Sequence, residues 1–178
     1  MTIVAIWMVT YNHEDYITQA VESVMIQKTD FKYKLFLGED CSTDKTREIC
    51  IELKEKYPNK IELVLQKKNT GGYKNAYDIY KLCFESEAKY IAMMDGDDYW
   101  TDSLKLQKQI DFLEKNPKFS LCFHNANFLN LKDGTQKPFC TSSKNIYTTR
   151  DIIKNKWFCQ IGSVLYRNSV MKDRHFLN

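Results

Sequence analysis

The stretch Tyr90-Ile91-Ala92-Met93-Met94-Asp95-Gly96-Asp97-Asp98-Tyr99-Trp100 decides the fold. Five apolar or aromatic residues run without a polar break, and three acids follow within four residues. A run this short, bounded by a turn, reads as a buried strand rather than a helix. Downstream, Leu106, Ile110 and Leu113 recur at helical spacing, and Asn116-Pro117 stops them. The local order is strand, acidic turn, helix.

Working outward, the same order repeats. Ile3 to Val9 is apolar and ends at Thr10-Tyr11-Asn12. Between 15 and 27, Ile17, Ala20, Val21 and Val24 fall on one helical face. Lys34 to Gly38 is a second strand, ending at Glu39-Asp40. Cys41-Ser42-Thr43-Asp44 is a turn that supplies a helix cap, and the helix runs to about Tyr57, before Pro58-Asn59. Ile61 to Gln66 is a third strand, Asn69-Thr70-Gly71-Gly72 a loop, and Ala76, Ile79, Tyr80, Cys83 and Phe84 mark a third helix. Four strand-then-helix units predict an α/β fold, a mostly parallel sheet with helices on both faces. Right-handed crossovers bring the C-terminal end of each strand to one edge, where ligands of open α/β sheets bind. Beyond 117 the expected elements are a strand over 120–128, a hairpin turn at Asp133-Gly134, a short helix over 149–154 and a strand over 160–166.

Length and composition bound the function. A chain of 178 residues, 43% of them hydrophobic, makes one domain with a real core. A net charge of +3 does not argue for a nucleic-acid partner. The six cysteines contain no C-x-x-C pair, so a zinc cluster has no support. The apolar start lacks a basic leader, and no apolar run approaches the ~18 residues of a membrane span. The expected compartment is cytoplasmic and reducing, with free thiols.

The strand ends carry the chemistry. Asp95, Asp97 and Asp98, facing Asp40 from the neighbouring strand end, form a negative cleft that needs an offsetting charge. Mn²⁺ or Mg²⁺ would take carboxylate oxygens, keep positions open for phosphate, and stabilise a diphosphate leaving group. The plainer alternative is a solvated turn with a helix cap. Asp40 is placed to hold a ribose or base edge, or to favour a helix N-terminus, where Asp44 fits better. Thr10 and Asn12 could donate to a uracil or ribose, or Asn12 could cap the first helix. Tyr11 could stack on a base or simply pack. Gly71 and Gly72 allow close backbone approach, and Lys74 either faces a diphosphate or is solvated surface. Neither G-x-G-x-x-G nor a P-loop is present.

Four segments in order resemble the family-2 glycosyltransferases, which have the GT-A fold. They are Val9-Thr10-Tyr11-Asn12-His13-Glu14, Leu37-Gly38-Glu39-Asp40-Cys41-Ser42-Thr43-Asp44-Lys45-Thr46, Asn69-Thr70-Gly71-Gly72 and Tyr90 to Trp100. The resemblance covers about residues 3 to 130. It implies transfer of a sugar from a nucleotide-diphospho-sugar, usually with inversion. It implies a nucleotide-binding set of Thr10, Tyr11, Asn12, Glu14, Asp40, Asp95 and Gly96, with Lys74 added from its loop position. Asp40 matches the acid that holds uracil. Asp95-Gly96-Asp97 matches the family's D-x-D motif. Asp97 is then the metal ligand, Asp95 serves the ribose or the metal, and Asp98 lies near the donor sugar or just behind the metal's own ligands. Trp100 and Lys105-Leu106 continue the signature and read as structural. Glu39 and Cys41 replace the Asp and Gly usual there.

The same resemblance implies a UDP-sugar donor, with guanosine and thymidine left open. It implies a glycan or lipid-linked acceptor, use in cell-surface polysaccharide, and peripheral membrane association of a longer protein at the inner face. The family's general base is an Asp or Glu in its later half. Ile161 to Arg167 resembles the strand before that base, but Asp133, Asp151 and Asp173 do not fall where it belongs, so none is assigned. The expectation is one domain over 1–178. Residues 1–130 would form the nucleotide-sugar half, and 131–178 the start of an acceptor half truncated at its C-terminus. Two competing readings are a nucleotide-sugar-binding module without turnover and a Mg²⁺-dependent phosphatase of the haloacid-dehalogenase type. The latter carries Asp-x-Asp on its first strand, not its fourth.

Overall fold

The structure is a computed structural model that describes residues 3–142, 144–154 and 159–172. Its first eight elements alternate as expected: β1 (Val4–Thr10), α1 (Ile17–Met25), β2 (Tyr33–Glu39), α2 (Thr46–Lys56), β3 (Ile61–Leu65), α3 (Gly72–Glu85), β4 (Tyr90–Asp95) and α4 (Lys105–Lys115). Then come β5 (Leu121–Cys122), β6 (Asn127–Leu129), β7 (Gln136–Pro138), α5 (Thr149–Lys154), a 3₁₀ turn at Ile161–Ser163, β8 (Leu165–Arg167) and α6 (Ser169–Lys172).

The main sheet has the order β3-β2-β1-β4-β8-β5. The strands β3, β2, β1 and β4 are parallel, and β8 runs antiparallel to both β4 and β5. Side chains alternate across the pleat. Val4, Ile6 and Met8 of β1 pack with Ile17, Val21 and Val24 of α1, Leu53 of α2 and Leu106 and Leu113 of α4. Ala5 and Trp7 point the other way, onto Ile79 and Cys83 of α3. Burying both faces explains why these strands read as continuous apolar runs. Among the described residues no helix is long and apolar enough to cross a membrane.

Two expected strands are corrected. The run over 120–128 is not one strand. Its start is β5, which pairs with β8 at only two positions, Leu121 with Tyr166 and Cys122 with Leu165. Asn125 then turns the chain away, its side chain bonding both the backbone N–H and the carbonyl of Cys140. The following β6 belongs to a separate hairpin with β7, closed around the expected Asp133-Gly134 turn. The run over 160–166 opens as a 3₁₀ turn. The Ser163 hydroxyl and N–H both donate to the Gln160 carbonyl, a local bond that displaces the ladder until Leu165.

Register brings the functional ends level. Thr10 pairs with Glu39, and Val9 with Asp95.

Candidate active site

The acidic turn follows from the tight contact of β4 with β1. Gly96 donates its N–H to the Val9 carbonyl at 3.0 Å. A Cβ at position 96 would lie 2.8 Å from both Cβ and Oγ1 of Thr10 and 2.9 Å from the Val9 oxygen. Only glycine fits between the flanking acids. Asp98 N–H then closes the turn on the Asp95 carbonyl at 3.2 Å.

The acids are crowded and partly out of water. Burial, with Asp98 and Asp97 as like charges nearby, pushes the Asp95 carboxyl up to about 6. Burial and Asp97 also raise Asp98, opposed by a hydrogen bond from Gln160 and by nearby His13. Asp97 is exposed. Among the described residues no lysine or arginine forms an ion pair with any of the three. Nor do three His, Cys, Asp or Glu side chains converge as a ready metal cage there. Thr10 is buried, yet its hydroxyl has no hydrogen-bond partner. Among the described residues the turn therefore combines carboxylates paired to no lysine or arginine with a buried hydroxyl without a partner.

Asp40 stands at the same edge, almost wholly buried. Its Oδ1 accepts from the N–H and hydroxyl of Thr70, each at 2.8 Å, and its Oδ2 from the Gly71 N–H at 2.9 Å. The expected glycine loop is thus held by the expected acid, and Gly71 takes φ +84° to reach it. Beside it Glu39 is fully buried, bonded by Arg47 Nε and the Ser42 N–H, each at 2.5 Å. The Arg47 guanidinium also donates to the Gln66 carbonyl. Neither Arg47 nor this pairing has a local signal in the sequence, because Arg47 lies eight residues on, in α2.

The loops after β1 and β2 are stitched together. Asn12 does not cap α1, whose N-cap residue, Tyr16, makes no side-chain bond. Its Oδ1 accepts from the N–H of Thr43 at 2.9 Å, and its own N–H donates to Ser42 Oγ at 3.0 Å. Glu14 accepts from the Lys45 N–H at 2.9 Å and donates its own N–H to Asp44. Asp44 also accepts from the Thr46 N–H at 2.9 Å, two residues on, but the N-cap residue of α2 is Lys45, so the capping expected of Asp44 is replaced by a local turn bond. Asn12 and Cys41 both sit at positive φ, +55° and +59°.

The remaining residues divide. Tyr11 is exposed at the sheet edge beside these loops. Lys74 lies in the first turn of α3 and pairs with Asp78 one turn on, so its ammonium is turned along the helix. Of the late acids, Asp133 bonds Thr135, and Asp151 bonds Lys144 and Thr148; both carboxyls are held below the usual range. Asp173 lies outside the described residues. A residue with no sequence signal, Gln160, enters the site from the turn before β8 and donates to Asp98 Oδ2.

The chain matches the family described as glycosyl transferase family 2 over residues 5–174. It is 32% identical over 147 residues to the putative teichuronic acid biosynthesis glycosyltransferase TuaG of Bacillus subtilis, covering 82% of this chain and 55% of TuaG. It resembles S. aureus TarS residues 1–349, solved in complex with UDP-GlcNAc, at 25% identity and TM-score 0.64, covering 97% of this chain and 47% of that one. It shares the fold of the mannosyltransferase PcManGT from Pyrobaculum calidifontis, solved in complex with GDP-Man and Mn²⁺, at 18% identity and TM-score 0.56, over 74% of this chain and 36% of that one. The chain spans about half the length of the curated relatives it matches. The parallel sheet, the acidic turn at the end of β4 and the match over 5–174 together make this chain a member of glycosyl transferase family 2.

Proposed function

We propose that the protein moves a sugar from a nucleoside-diphospho-sugar, with a UDP-sugar favoured, to a glycan or lipid-linked acceptor of cell-surface polysaccharide. The observation that carries this is the Asp95–Asp98 turn. It holds carboxylates raised by burial and mutual repulsion, with no lysine or arginine paired to them among the described residues. Such a donor set fits Mn²⁺ or Mg²⁺, which bind one or two carboxylates and take further oxygens from a substrate diphosphate. When bound, the metal would stabilise the departing nucleoside diphosphate as a Lewis acid.

The chain's own residues have distinct parts. Asp97, the exposed acid, would ligate the metal, with Asp95 on the metal or the ribose. Gly96 gives the turn its close seat on β1, so a ribose can approach the backbone. The buried Thr10 hydroxyl, without a partner, packs against Gly96 and would act behind the nucleotide rather than on it. Asp40 with the Thr70–Gly71 loop would shape the base end, and Tyr11 would cover the base. Asn12 and Glu14 act by fixing the two loops, through the bonds to Thr43 and Lys45. Lys74 would reach a diphosphate only by leaving Asp78. Inversion requires one in-line displacement with a carboxylate base opposite the leaving group. Asp133 and Asp151, bonded as they are, do not serve as that base.

The test is calorimetric titration with UDP, GDP and dTDP, with and without Mn²⁺. Metal-dependent binding lost in Asp97→Ala is the expected result. No binding in the wild type, with hydrolysis of p-nitrophenyl phosphate, would replace the reading with a phosphatase. A second reading, a nucleotide-sugar-binding module without turnover, draws on the absence of an assignable base among the described residues. Binding without donor hydrolysis or transfer would favour it.

A further inference from the structure

Gln160 is far from the acidic turn in sequence, yet its amide reaches Asp98 Oδ2 across 62 positions. Among the described residues it makes the one hydrogen bond to that carboxylate. The backbone that carries it is fixed from three sides. The Gly162 carbonyl accepts from Trp100 Nε1 at 2.7 Å, and the Ser163 carbonyl from Gln109 Nε2 of α4 at 2.9 Å. The Val164 carbonyl accepts from the Met93 N–H of β4 at 3.2 Å. Gly162 leaves room for the amide: a Cβ there would lie 2.9 Å from Gln160 Oε1 and 3.7 Å from Asp98 Oδ2. Trp100, Gln109 and Gly162 thus hold the turn that presents Gln160.

The amide is a neutral donor, so it orients Asp98 without cancelling its charge. With Oδ2 engaged by the amide, Asp98 has one oxygen less exposed to other ligands. Its Oδ1 accepts no hydrogen bond from the described residues and is left as the free acceptor. We propose that Gln160 is a positioning residue that ties Oδ2 of Asp98 and aims Oδ1 at a hydroxyl of the donor sugar, and so sets which sugar the site distinguishes from bare nucleotide. This rests on the reading of the cleft as a nucleotide-sugar site.

The experiment compares dissociation constants of the 178-residue chain, with Mn²⁺ present, for three pairs: UDP and UDP-GlcNAc, GDP and GDP-mannose, dTDP and dTDP-rhamnose. The readout is the ratio within whichever pair binds. Gln160→Ala is expected to change that ratio by about fivefold or more, the scale of one hydrogen bond to a charged group, with bare nucleotide affinity unmoved. Asp98→Asn should move the ratio likewise. The double variant should go no further than Asp98→Asn, because the two act through one contact. Gln160→Glu, similar in volume and placing a like charge against Asp98, provides a second variant if Gln160→Ala unfolds. An unmoved ratio in these variants overturns the proposal, as does an effect that adds fully in the double variant. A fall in nucleotide affinity and thermal midpoint without a change in ratio means a structural role only, and also overturns it. Binding of none of the pairs by the wild type fails the glycosyltransferase reading itself, and the proposal with it.

Discussion

Thr10 at the end of β1 and Gly96 after β4 are in contact so close that no side chain fits between them. A Cβ on residue 96 would stand 2.8 Å from Thr10 Oγ1. The acidic turn after β4 and the end of β1 are therefore one packed unit. Gly96→Ala is expected to cost about 1–3 kcal/mol of stability, as overpacking in a tight site does. It should also weaken Mn²⁺-dependent nucleotide binding by pushing the acids off β1. Urea unfolding and calorimetry on the same variant check both, and retention of both at wild-type values would refute the contact's importance.

The Asp95 carboxyl titrates near 6 rather than at its usual value of 3.8. Its neutral form is favoured by the fold, so the native state binds more protons than the unfolded chain between those two values. Metal-free stability should then fall as pH rises from about 4 to about 6 and level off above. Asp95→Asn should flatten that segment of the profile. Mn²⁺ must displace the same proton, so its apparent affinity should drop as pH falls through about 6. A pH series of thermal midpoints, with and without Mn²⁺, reads both trends. An unchanged midpoint profile in Asp95→Asn would count against the assignment.

Cys41 sits at φ +59°, in the left-handed region that glycine adopts most readily. The left-handed region costs a residue with a Cβ roughly 1–2 kcal/mol. Glycine would regain most of that and lose part to its freer unfolded state. Cys41→Gly should therefore stabilise the protein by up to about 1 kcal/mol, measured by denaturant midpoint. Cys41→Val, β-branched, should destabilise it. The order Gly, Cys, Val is the prediction, and any other order contradicts it.

What could be read from the chain beforehand follows from range. The four strand–helix units were legible because each rests on local periodicity, and their buried strands leave unbroken apolar runs such as Ile3 to Val9. That Asp40 and Asp95 stand at one edge of the sheet was legible because parallel crossovers put strand ends there. Of the two roles open to Asn12, the helix cap is not the one it takes. Its partner Thr43 lies on another loop, and no local pattern reports that bond. Gln160 and Arg47 were invisible for the same reason. The strand over 120–128 failed because its only sheet partner is the three-residue β8, and apolar content alone does not reveal the length of a partner.

Lys105 offers a test of how the acidic turn is supported from behind. Its ammonium lies 3.7 Å from the centre of the Trp100 ring, buried and without a hydrogen-bond partner. Burial lowers its pKa from 10.5 to about 7, with Cys122 opposing slightly. The unfolded chain thus binds the proton more strongly across that interval. Stability should rise as pH goes from about 7 to about 10, where the native lysine is neutral and the unfolded one still charged, and level off once the unfolded lysine also gives up its proton. Lys105→Met keeps the length and the contact with Trp100 while removing the buried charge. Replacing a buried charge by an apolar chain of similar volume is often neutral or stabilising. Lys105→Met should therefore raise the thermal midpoint at pH 7, and the gain should shrink as pH approaches 10. Because Trp100 also donates to the Gly162 carbonyl, nucleotide binding should persist as long as the ring stays in place. A midpoint lowered at pH 7 would mean that the attraction between ammonium and ring outweighs the cost of burying the charge.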